Sequence, residues 1–140
     1  MPNITEFRNS VIRPLEDNFM PPLAAGSVGV KRAEVTVADA GTTKTLFALP
    51  KGAVIVAIFV NVSVVFNGDT TNTLDIGVTG SANSIRNDLT LASLGQTVTG
   101  WTATEIDDPL ASDTTFTASV VATAGATTGK AQITFLYYLG

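Results

Sequence analysis

The longest patterned stretch of the chain is AVIVAIFVNVSVVF, residues Ala53 to Phe66. Even positions Val54, Val56, Ile58, Val60, Val62, Val64 and Phe66 are all apolar, whereas the odd positions pass from Ile55, Ala57 and Phe59 to Asn61 and Ser63. A period of two in β-branched residues predicts a strand over 53–66, with the even side in a core throughout and the odd side buried only at its start. The last ten-residue segment, Lys130–Leu139, alternates in the same way: Ala131, Ile133, Phe135, Tyr137 and Leu139 share one side. The other side carries Gln132, Thr134, Leu136 and Tyr138. Apolar residues on both faces near its end place this strand at the centre of a sheet or beneath a partner.

Shorter strands are expected at Glu34–Ala38, Thr45–Leu49, Thr73–Thr79, Thr97–Thr104 and Thr115–Thr123. Turn signals separate them. Gly41-Thr42-Thr43 turns the chain, and Pro50 suits the second position of the turn Leu49-Pro50-Lys51-Gly52. Asn67-Gly68 reads as a hairpin turn after the long strand, Gly80-Ser81 as a break, and Asp107-Asp108-Pro109 as a sharp turn. Ala124–Gly129 reads as a hairpin loop between the last two strands. Residues 81–113 are the least regular, with Asp88–Leu94 expected to form a helical turn or two before Gly95. The sum is an all-β, Greek-key or jelly-roll-like sandwich over residues 33–140.

Residues 1–32 read as an extended N-terminal arm. Ile4, Phe7, Val11 and Ile12 fall at helical spacing, and Pro14 stops any helix there. Beyond it, PLEDNFMPPLAAGSVGV favours an irregular, extended path. Leu15, Phe19, Met20 and Leu23 are too apolar for a solvated linker, so the arm is expected to lie on something. That is either its own sandwich or a neighbouring subunit. The candidate interface residues are Ile4, Phe7, Val11, Leu15, Phe19, Met20 and Leu23, with Tyr138 from the last strand.

Composition narrows the function classes. The 140 residues contain no histidine and no cysteine, which removes the commonest general base, the commonest metal ligand and the thiol nucleophile. No P-loop is present, because Gly129-Lys130 leads into a strand and not a helix. Glu105, Asp107, Asp108 and Asp113 match no calcium-loop spacing and are explained by turn formation. A Ser–Lys pair and a glycosidase carboxylate pair have no supporting motif. The expectation is no catalytic residue, no cofactor and no metal. The net charge of −4, with the arm near +1, argues against a nucleic-acid partner. No secretion signal and no apolar run long enough to span a bilayer is visible, so a soluble protein made in the cytoplasm is expected. The charged fraction is only 14%, which gives a neutral, hydroxyl-rich surface that desolvates cheaply against another protein.

In their order along the chain, LPKGAVIVAIFVNVSVVF, TLDIGVTGSANSI and TFTASVVATAGATTGKAQITFLYYLG resemble small virion proteins of tailed bacteriophages, over most of residues 44–140. The resemblance implies a β-sandwich with an N-terminal arm that acts as a head decoration or cement protein on the capsid surface. Its partners would then be the major capsid protein lattice and other copies of itself, often as trimers with arms tying subunits together. The alternative is a ligand- or carbohydrate-binding sandwich, such as a receptor-binding, neck or tail component, with Trp101 or Tyr138 as an aromatic platform. An enzyme is the third reading. Elemental analysis of the purified protein should find no stoichiometric transition metal; finding one would overturn the metal-free expectation.

Overall fold

A computed structural model describes residues 28–98 and 109–139. Eight strands follow one another: β1 (Val28–Thr36), β2 (Thr43–Leu49), β3 (Ala53–Val64), β4 (Asn72–Val78), β5 (Ser81–Thr90), β6 (Gly95–Val98), β7 (Thr114–Ala122) and β8 (Lys130–Leu139). They form two antiparallel four-stranded sheets, ordered β1-β8-β3-β6 and β2-β7-β4-β5. Among sequential strands only β4 and β5 are hydrogen-bonded neighbours; the other connections leave the sheet they start in. An eight-stranded double sheet with this order is a jelly roll, the architecture expected from the alternating pattern.

The core lies between the sheets. From β3 and β8 come Ala53, Ile55, Ile58, Val60, Val62, Ala131, Ile133, Phe135 and Tyr137; opposite them stand Leu74, Ile76, Phe116, Ala118 and Val120. Phe135 meets Phe47 edge-on, with ring centroids 4.8 Å apart, and Phe116 at 4.9 Å. Such contacts between two sheets add about 0.5–1.5 kcal/mol each beyond area burial. β8 sits between β1 and β3, so its apolar pattern does mark a central strand.

Four expectations are corrected by this arrangement. First, β3 is not regular: its pairing with β8 shifts between Ile55 and Ala57. The inserted residue, Val56, faces outward, so Ala53 and Ile55 share the core side with Ile58, Val60 and Val62. Second, Asn67-Gly68 is not a hairpin, because β3 and β4 lie in different sheets. A tight hairpin turn of the Asn-Gly kind needs positive φ at both residues, and neither has it. Asn67 instead clamps the loop after β7: its Oδ1 accepts the N–H groups of Thr127 (2.8 Å) and Thr128 (2.9 Å). Third, Ala124–Gly129 is a crossing between sheets and not a hairpin, since β7 and β8 are also separated.

Fourth, Asp88–Leu94 is not helical. Residues 81–90 are β5, and the turn before it, Thr79-Gly80, is the hairpin that the sequence pattern shows only as a break. The pairing of β5 with β4 is irregular at two places: Leu74 and Ile76 pair with Leu89 and Arg86, one residue more on β5 than on β4, and the register shifts again before Val78 meets Ser81. Asp88 has φ +55, and its N–H donates to Asp75 Oδ1 at 2.7 Å.

Boundaries move as well. β1 begins at Val28, so residues 28–32 belong to the sheet and not to the arm, and Val37–Asp39 form a 3-10 turn in place of the strand end. β6 starts at Gly95, and the remainder of the expected 97–104 strand lies outside the described residues.

Ile58→Asp should abolish soluble folding. An unpaired carboxylate at this buried site costs several kcal/mol, comparable with the whole stability of a small domain. A soluble variant that melts cooperatively would disprove the placement. Gly129→Ala should cost about 1–3 kcal/mol in denaturant titration, because a Cβ there would stand 2.3 Å from the Phe66 ring.

Candidate interaction surface

The outer faces of the two sheets differ in chemistry. On β2-β7-β4-β5 the outward positions are mainly hydroxylated or small: Thr43, Ser119 and Asp75 lie in one cross-strand row, with Thr45, Thr117 and Gly77 in the next. Thr43 and Ser119 share a hydroxyl hydrogen bond of 2.9 Å. That bond uses the polar groups within the sheet itself.

The outer face of β1-β8-β3-β6 divides into halves. Register places Val28, Tyr138 and Val54 in its first row, and Val30, Leu136 and Ala57 in its second. Arg32, Thr134, Phe59 and Val98 form the third, and Glu34, Gln132, Asn61 and Gln96 the fourth. The first rows are apolar across three strands. Within them Val28 is 57% exposed, Val30 49% and Val56 43%, whereas Val54 is buried; Val98 of the third row is also exposed. Solvent-facing valines this concentrated are the chemistry of a contact surface.

The third and fourth rows surround a shallow depression of about 310 Å³, lined by Val30, Arg32, Phe59, Asn61, Gln96, Gln132 and Thr134. At the rim, Lys130 Nζ lies 3.3 Å from Glu34 Oε2, with both side chains about half exposed. Such a pair is worth little in water. A second, more apolar cavity of about 210 Å³ opens at one end of the sandwich between Ile55, Val78, Ile85, Leu110 and Phe116.

Of the residues expected to form an interface, Tyr138 lies on the apolar half, in line with Val28 and Val54. Ile4, Phe7, Val11, Leu15, Phe19, Met20 and Leu23 lie outside the described residues, as do Trp101, Glu105, Asp107 and Asp108. Tyr137 is a core residue. Asp113 is occupied structurally: its Oδ1 accepts the Lys51 N–H at 2.9 Å, fixing the turn before β3. Among the described residues no group of three or more acidic, histidine or cysteine side chains could hold a metal. No described helix is long and apolar enough to cross a membrane. Sequence periodicity did not single out Val28, Val30 and Val98, because their sidedness depends on pairing partners far along the chain.

No protein-family model matches the chain, and no curated protein matches its sequence. Solved structures do. A chain from the capsid asymmetric unit of cyanophage Pam1 superposes with a TM-score of 0.68 at 20% identity, over 87% of this chain and 96% of that one. A chain from the acid-stable capsid of Helicobacter pylori bacteriophage KHP30 gives 0.62 at 21%, over 83% and 90%. One from the capsid of Ralstonia phage GP4 gives 0.62 at 24%, over 86% and 89%. At these identities the likeness is one of fold: the chain is a jelly-roll β-sandwich of the kind found in phage capsids.

Proposed function

We propose that this chain is a structural protein of a tailed-phage virion, a decoration or cement protein on the capsid surface that stabilises the head by binding the assembled lattice. The observation that carries the reading is the near end-to-end likeness to three chains from phage capsid structures. The half-apolar outer face supports it, because it supplies a surface suited to protein contact on an otherwise low-charge domain. Cementing needs no bond to be made or broken. A protein that binds the assembled lattice and not its free subunits stabilises the lattice by its binding free energy at every site.

In this reading the partners are the major capsid protein and further copies of the chain, with residues 1–27 reaching a neighbour. Each large arm side chain fully buried in such a contact contributes roughly 1.5–3 kcal/mol, so a few anchors outweigh the ordering of the arm. A second reading, a carbohydrate-binding module, is favoured by the depression where amides of Asn61, Gln96 and Gln132 surround Phe59. Amides match sugar hydroxyls and an aromatic ring matches a sugar's apolar face. A glycan array separates the two readings.

The deciding experiment adds purified protein to undecorated capsids of its phage and measures occupancy and heat resistance. The full chain should bind at a fixed stoichiometry and raise the disruption temperature. A variant lacking residues 1–23 should remain a folded sandwich but lose oligomerisation or lattice attachment. If the truncated protein unfolds, the arm belongs to its own core; if it assembles normally, the arm has no joining role.

A further inference from the structure

We infer that the apolar half of the outer face of β1-β8-β3-β6 is the seat for the apolar segment Leu15–Leu23 of a second copy of this chain. The inference rests on the virion reading above and names the receiving surface that it leaves open.

The face fits a segment better than a globular partner. Its apolar part is two rows deep and three strands wide, built on Val28, Val30, Leu136 and Tyr138. A standard interface takes roughly 800 Å² from each partner, and a handful of half-exposed valines beside a tyrosine falls well short of that. An extended stretch with a few large side chains is the occupant of matching size. LEDNFMPPL, residues 15–23, supplies Leu15, Phe19, Met20 and Leu23 within nine positions.

Chain length lets that segment reach a neighbour. β1 begins at Val28, which pairs with Tyr138 in the first row of this face. Pro21 and Pro22 have fixed backbone angles that favour an extended conformation. Residues 15–27, thirteen in number, reach roughly 40 Å when extended. That exceeds the diameter of a domain whose radius of gyration is about 13 Å. The contact is head-to-tail, since the arm of one copy meets the face of the next, and it closes only as a ring.

The absence of native cysteine gives a clean test. In the full-length chain, Met20→Cys is combined with Leu136→Cys and the protein is mildly oxidised or treated with a short bis-maleimide. Covalent species of two or more chains are expected. A control pairing Met20→Cys with Val121→Cys, on the outer face of the other sheet, should give at least tenfold less product. Cross-linking only within one chain, none at all, or equal cross-linking in the control would each overturn the assigned seat. As an independent measurement, Val30→Asp should raise the dissociation constant of the oligomer at least tenfold while leaving the melting transition in place. An unchanged constant would count against the seat. Capsid binding by the full-length parent separates the two ideas: if it binds capsids but the cross-link fails, the seat is wrong and the virion reading stands; if it does not bind, the virion reading fails.

Discussion

Everything in this sandwich depends on the contact of Phe135 with Phe47 and Phe116 across the gap between the sheets. Phe135 belongs to β8, which β1 and β3 flank, while Phe47 and Phe116 come from neighbouring strands β2 and β7 of the opposite sheet. The three rings join the sheets edge-on, the arrangement their quadrupoles favour. Around them the aliphatic rows of β3, β4 and β7 bury their apolar surface, the main favourable term in folding. Neither sheet could remain dissociated without exposing a continuous apolar face.

Joining two sheets forces the chain to cross between them, and the crossings need their own fastening. Loops carry backbone groups that no ladder satisfies. Here side chains take over: Asn67 receives two N–H groups of the opposite loop, and Thr123 Oγ1 accepts those of Thr70 and Thr71 at 2.8 and 3.1 Å. Gly129 lets the backbone pass directly against Phe66, sealing the core where β3 has ended. Part of the chain's hydroxyl and amide content thus holds the crossing loops together.

The same closure leaves two outer faces that differ in chemistry. The β2-β7-β4-β5 face is dominated by Thr, Ser and Asp in cross-strand rows, whereas half of the β1-β8-β3-β6 face exposes Val28, Val30 and Val56 beside half-buried Leu136 and Tyr138. The proposed virion role would use the apolar face for protein contact and leave the hydroxylated face to water.

What the sequence by itself determined is the strand class and the core. Alternation of β-branched residues identifies β3, β4, β7 and β8, because a pleated strand turns successive side chains to opposite sides whatever surrounds it. The absence of His and Cys likewise follows from the chain alone. Pairing was not legible there. Asn67-Gly68 and Ala124–Gly129 carry turn residues, yet turn chemistry sets local backbone angles and not which sheet the next strand joins. The bulge at Val56 shifts sidedness by one position and turned that residue outward, and the irregular pairing of β5 with β4 depends on a partner strand that local pattern does not show. The interaction face was half visible: Tyr138 stood out as a residue on the second side of an apolar strand. Val28, Val30 and Val98 gain their meaning only from partners about a hundred or forty residues away. Long-range register, fixed by the packing of two sheets, is what the tertiary structure decided.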